Sequence, residues 1–136
     1  MNIEENKKVI ENGNAVLGIE FGSTRIKAVL INEAFEPIAG GSFTWENQLV
    51  DGVWTYDLDL IHKGLQECYK DLKKDVNEKY GVTIKKFKSA GISAMMHGYL
   101  AFDKEYKLLV PFRTWRNTIT GQASAELSKL FNFPVP

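Results

Sequence analysis

The stretch Leu17-Gly18-Ile19-Glu20-Phe21-Gly22-Ser23-Thr24-Arg25-Ile26-Lys27-Ala28-Val29-Leu30-Ile31 constrains the fold more than any other part of the chain. Two apolar runs flank a short loop of small polar residues, so the chain must turn back on itself as a hairpin. A carboxylate, Glu20, stands just before the loop and an amine, Lys27, just after it. Such a loop has the parts of an anion cradle. Gly22 allows close backbone approach, and Ser23 and Thr24 bring hydroxyl and N–H donors. Lys27 brings a compact positive charge. Glu20 suits a hydrated Mg²⁺, which keeps several waters and takes oxygen ligands. The same residues also describe an ordinary hairpin whose polar turn binds nothing.

Two other phosphate loops are excluded. Neither the GxxxxGK[ST] string nor the GxGxxG string occurs, and Ile26 to Ile31 continues as a strand, not a helix. The hairpin itself is the candidate cradle.

The segment resembles the first phosphate motif of the FGGY carbohydrate kinases, which share a fold group with actin, hexokinase and the heat-shock chaperone ATPases. That family usually has Asp at the place of Glu20 and a Gly-Thr-Thr or Gly-Thr-Ser turn at Gly22-Ser23-Thr24. A Lys or Arg follows at the place of Lys27. Glu for Asp keeps the charge and adds a methylene.

The remaining sequence reads as follows. Met1 to Asn14 is a polar leader, loose apart from a short helical turn. Ala15–Phe21, Arg25–Asn32 and Pro37–Trp45 form an antiparallel three-strand meander, and unbroken Val16-Leu17-Gly18-Ile19 predicts a strand covered on both faces. Asp57 caps a helix whose stripe runs Leu58, Ile61, Leu65, Cys68, Leu72, Val76 and which stops at Gly81. Lys88–Met95 is a fourth strand, with Ala90, Ile92 and Ala94 packed on that helix. Tyr99–Phe102 and Leu108–Val110 form a hairpin around Asp103. Thr120 caps a last helix through Leu127 and Phe131, and Phe133–Pro136 is extended. This order, meander then helix-strand-helix in a mixed α/β sheet, is the opening of the ribonuclease-H-like fold of the actin-like ATPase superfamily.

Two further strings carry candidate chemistry. Met96-His97-Gly98 ends the fourth strand, where ligands of open α/β sheets bind. His97 is also readable as a histidine satisfied at a strand end. Many pentulose kinases of the family carry Met-His-Gly here, against the sugar. Thr114-Trp115-Arg116-Asn117-Thr118 resembles the family's Trp-x-Asp-x-Arg string, with Asn117 in place of Asp and Ile119 in place of Arg. Trp115 is then an apolar wall for a sugar, although a buried core aromatic is the common role of tryptophan.

The resemblance implies an ATP-dependent sugar kinase whose acceptor is a ketopentose such as xylulose or ribulose. ATP–Mg²⁺ lies on Gly22, Ser23, Thr24, Arg25 and Lys27, with Glu20 reaching the metal through water. The sugar contacts Met96, His97, Gly98, Trp115 and Asn117. No carboxylate here fits the catalytic base, which the family carries downstream of Pro136. The chain therefore reads as a truncated N-terminal kinase domain, 15–136, inactive alone, of an intact protein that forms a homodimer. A non-catalytic sugar-binding module, or another actin-like enzyme, is the alternative.

Composition narrows the partners. Lys plus Arg and Asp plus Glu number 17 each, so net charge gives no pull toward nucleic acid or membrane. No run approaches the roughly 18 apolar residues of a membrane span. The single cysteine, Cys68, fits a reducing cytoplasm and a place in the core.

Overall fold

In the computed structural model, which describes residues 2–132, the Gly22–Thr24 turn joins β1 (Val16–Phe21) to β2 (Arg25–Ile31). The pair is antiparallel, with Glu20 opposite Lys27 and Phe21 opposite Ile26. β3 (Pro37–Thr44) continues the meander against β2. Strands β4 (Gln48–Val50) and β5 (Val53–Thr55) form a separate two-stranded ribbon. After helix α2 (Leu58–Tyr80), β6 (Ser89–Ala94) returns parallel to β1, giving the order β3-β2-β1-β6. The Phe133–Pro136 tail lies outside the described residues.

Local signals account for α2. The Asp57 carboxylate accepts the Asp59 N–H at 2.6 Å, and Gly81 ends the helix with φ of 66°. Gly64, Cys68, Leu72 and Val76 are its buried stripe. The stripe sits on β2 and β3. Burial and neighbouring Asp71 push the Cys68 thiol up, and its Sγ reaches the Ile26 carbonyl at 3.6 Å. It is a core residue.

The contact of α2 with β3 is backbone on backbone. A Cβ on Gly41 would strike the Cys68 carbonyl and lie 2.8 Å from the Leu72 Cα. From the helix side, a Cβ on Gly64 would lie 2.8 Å from Ile26 and Phe43. Further along, α2 reaches around the outer edge of β3. The Asp71 carboxylate accepts the Ser42 N–H at 2.9 Å and Asp75 accepts the Gly40 N–H at 2.8 Å. The Tyr80 hydroxyl donates to the Ile38 carbonyl at 2.9 Å. Burial raises the Asp75 carboxyl, but the bonds from Lys79 and Gly40 outweigh it and hold the group below its ordinary range.

Four expectations differ from what is observed. The polar leader is not loose: α1 (Ile3–Glu11) has a capping box between Asn2 and Glu5, and Val9 and Ile10 are in the core. Its buried face is only Asn6, Val9 and Ile10, too few apolar residues to stand out in a charged stretch. β1 is covered on one face only. Val29 and Ile92 stay exposed beside an open apolar hollow of about 490 Å³ that Val16 and Gly18 also line. Ala90, Ile92 and Ala94 do not pack on α2, because the helix lies over β2 and β3 and all of β6 is exposed. In α3 (Gly121–Phe131), Thr120 makes no side-chain cap bond and no residue is buried.

Among the described residues, no helix is long and apolar enough to cross a membrane.

Candidate functional site

The turn between β1 and β2 is held from beneath by aromatic residues. The Gly22 N–H donates to the Arg25 carbonyl at 3.0 Å, closing the turn. A Cβ on Gly22 would lie 2.9 Å from that oxygen, so the position needs glycine. The Trp45 Nε1–H donates to the Gly22 carbonyl at 2.7 Å, and the Tyr56 hydroxyl donates to the Ser23 carbonyl at 2.6 Å. The Trp45 backbone N–H donates to the Thr24 carbonyl at 3.1 Å. The Trp45 and Tyr56 rings stack at 4.3 Å, with Phe21 and Phe112 against them at 6.2 and 5.7 Å. Both rings are buried. None of this support was legible beforehand: the partners lie 23 and 33 residues from the turn, without a periodic pattern to announce them.

Burial pushes the Tyr56 phenol above its ordinary range, outweighing the opposite pull of Asn47 and Arg116. An exposed tyrosine ionises near pH ~10, so above that pH the unfolded chain binds fewer protons than the folded one. Stability is predicted to fall as pH rises past that point. Urea unfolding across alkaline pH checks this, and Tyr56→Phe is expected to flatten the slope.

Lys27 and Glu20 face each other across the register, Nζ to Oε2 3.8 Å, with both side chains about half exposed at 52% and 55%. A pair so exposed contributes little to stability and leaves both charges available to a ligand. Among the described residues no group of three or more His, Cys, Asp or Glu could enclose a metal. One exposed carboxylate beside the turn does fit Mg²⁺ that arrives on a polyphosphate and keeps its waters.

The second candidate string lies on the loop after β6. His97 has φ of 60°, a left-handed conformation at the strand end, and such strain in non-glycine residues gathers at functional sites. Tyr99 and Arg113 exchange backbone hydrogen bonds at 3.0 Å, which brings Trp115 back toward the hairpin. Trp115 is 55% exposed, so it is not a core aromatic. The Asn117 carboxamide is clasped to β5: Oδ1 accepts the Trp54 N–H at 2.8 Å, and Nδ2 donates to the Trp54 and Thr114 carbonyls at 2.7 and 3.0 Å. Arg116 stacks on the Trp54 ring at 3.8 Å and donates to Asn47 at 2.9 Å.

These parts line three adjoining cavities that share wall residues and together form an open groove. A cavity of about 350 Å³ lies over Glu20, Gly22, Arg25 and Lys27. A second of about 390 Å³ shares Ser23 and Thr24 with it and is closed by Glu46, Asn47, Trp115 and Arg116. A third of about 580 Å³ shares Trp115 and is lined by His97, Tyr99, Arg113 and Asn117. Of the sequence candidates, His97, Trp115 and Asn117 thus surround one cavity. Met96 is exposed and Gly98 does not line it; a Cβ on Gly98 would meet Phe112 at 3.1 Å. Trp45, Asn47, Trp54, Tyr56 and Arg116 are the site residues that sequence reasoning did not find.

Solved structures with the same arrangement define the class of fold. A xyloylose kinase from Brucella ovis superposes with a TM-score of 0.73 at 23% identity, over 88% of this chain and 24% of its own. A gluconate kinase from Lactobacillus acidophilus gives 0.70 at 22%, over 88% and 23%. A glycerol kinase from Plasmodium falciparum gives 0.71 at 20%, over 85% and 23%. The fold is the mixed-sheet α/β architecture of the actin-like ATPases, ribonuclease-H-like in its strand order. The chain belongs to the FGGY family of carbohydrate kinases, whose N-terminal-domain model matches residues 15–134. It spans about a quarter of the length of the structures it resembles. No curated protein matches the chain.

Proposed function

We propose that this chain supplies the phosphate-binding turn and the acceptor wall of an ATP-dependent sugar kinase. The observation that carries the reading is the groove in which Ser23 and Thr24 are shared by the turn cavity and its neighbour, and Trp115 by that neighbour and the His97 cavity. Phosphoryl transfer is mostly positioning and charge stabilisation, and it needs donor and acceptor in one continuous space. In this reading the ATP phosphates lie on the Ser23 and Thr24 donors, beside Arg25 and Lys27. Mg²⁺ carried by the nucleotide meets Glu20 through water. A sugar, a ketopentose such as xylulose or ribulose, lies on the Trp115 face within reach of His97. Met96, Gly98 and Asn117 shape the loop around it. The sugar hydroxyl oxygen bonds to the γ-phosphorus, the bond to the bridging oxygen breaks, and ADP leaves. The hydroxyl proton goes to a carboxylate base in the segment beyond Pro136. We place the intact enzyme in the cytoplasm, in keeping with the single buried thiol of Cys68.

The test is ADP release by the full-length protein of the same reading frame, offered ketopentoses, polyols, aldonates and hexoses. Release with one ketopentose is expected. Lys27→Met is expected to lower kcat on the order of 10²-fold, the scale of one electrostatic contact to a transferring group. Sugar binding without ADP release would overturn the kinase reading in favour of a sugar-binding module.

A further inference from the structure

We propose that Tyr56 and Trp45 are positioning residues for the phosphate turn, setting its peptide planes so that the Ser23 and Thr24 N–H groups face the groove. The inference rests on the phosphate reading of that turn and names what makes it able to bind.

In a trans peptide the carbonyl and the following N–H point in opposite directions. The Gly22 carbonyl is drawn into the core by Trp45 Nε1, so the Ser23 N–H points outward. The Ser23 carbonyl is drawn in by the Tyr56 hydroxyl, so the Thr24 N–H points outward. Among the described residues no hydrogen bond uses either N–H. Two successive free N–H groups on the outer side of the turn, beside Lys27, offer an anion two donors and a positive charge. The two inward donors are themselves immobile, because their rings stack at 4.3 Å and are 4% and 2% exposed. Tyr56 also sits two residues after Trp54, which Asn117 clasps. The turn is therefore braced from the segment that anchors the acceptor loop.

The test uses this chain and three variants. Tyr56→Phe and Trp45→Phe each remove one inward donor and keep an aromatic ring. Tyr80→Phe removes an equivalent hydroxyl-to-carbonyl bond, to Ile38 at the far end of β3. Two readouts are taken by NMR: the fast mobility of the Ser23 and Thr24 amides without ligand, and their shifts on titration with inorganic pyrophosphate. Both amides are expected to be rigid in the parent chain and in Tyr80→Phe, and mobile in Tyr56→Phe and Trp45→Phe. Pyrophosphate is expected to bind about fivefold more weakly to those two variants, the factor of one net hydrogen bond, and unchanged to Tyr80→Phe. Unaltered mobility in Tyr56→Phe, or equal weakening in Tyr80→Phe, would overturn the proposal. Mobility that changes as expected, with no pyrophosphate shift in any chain, would uphold the positioning role and overturn the phosphate reading alone.

Discussion

Gly41→Ala is expected to destabilise the protein by about 3 kcal/mol, at the upper end of overpacking costs. The added methyl would lie 2.8 Å from the Leu72 Cα, with the Cys68 carbonyl closer still. Both are helix backbone, which cannot swing aside as a flexible side chain does. The helix must lift from β3, and lifting also strains the bonds from Asp71 and Asp75 to the β3 edge. For a domain of this size the melting temperature should fall by about 10 °C. Gly91→Ala is the control, since a Cβ there meets nothing within 4 Å. If calorimetry finds the two variants melting together, the seating of α2 on Gly41 is wrong.

Asn117→Asp is the second large effect, although it swaps one atom and restores the residue usual in the resembling family. The present carboxamide gives both N–H groups away, to the Trp54 and Thr114 carbonyls. A carboxylate there would aim a charged acceptor at two acceptors, one of them on a residue only 4% exposed. Losing the donors and burying unpaired oxygens costs about 3 kcal/mol. Acid should partly repair the variant, because protonation restores one donor. Its folded carboxyl pKa is then raised, so the added stability is present below the ordinary value near ~4 and lost as pH rises through the folded one. Thermal melts at acid and neutral pH read this directly. A variant as stable as the parent at neutral pH would show that the clasp does not hold β5.

The two sites also mark where sequence is informative. Asp57, the stripe through Val76 and Gly81 were enough to place α2, because cap, face and stop are all encoded within one helix. The hairpin around Ser23 was legible for the same local reason. The brace beneath it was not: Trp45 and Tyr56 flank a polar excursion, and their rings meet only through the tertiary structure. Asn117 was read as a sugar ligand from its place in a string. Its bonds to Trp54, 63 residues away, follow from tertiary approach alone. The apolar run of β1 was read as a strand covered on both faces, but one face, at Gly18 and beside Val29 of β2, stays open in the described residues.

The grip of α2 on β3 has a consequence for assembly. Three outward groups of that strand, the Ile38 carbonyl and the Gly40 and Ser42 N–H groups, are taken by one helix. Pairing with another chain requires free groups of this kind. Among the described strands of the four-stranded sheet, β6 is the other edge. With those groups occupied, β3 is a poor edge for pairing with a second sheet. The helix thus guards that flank of the sheet against the edge-to-edge stacking from which fibres grow.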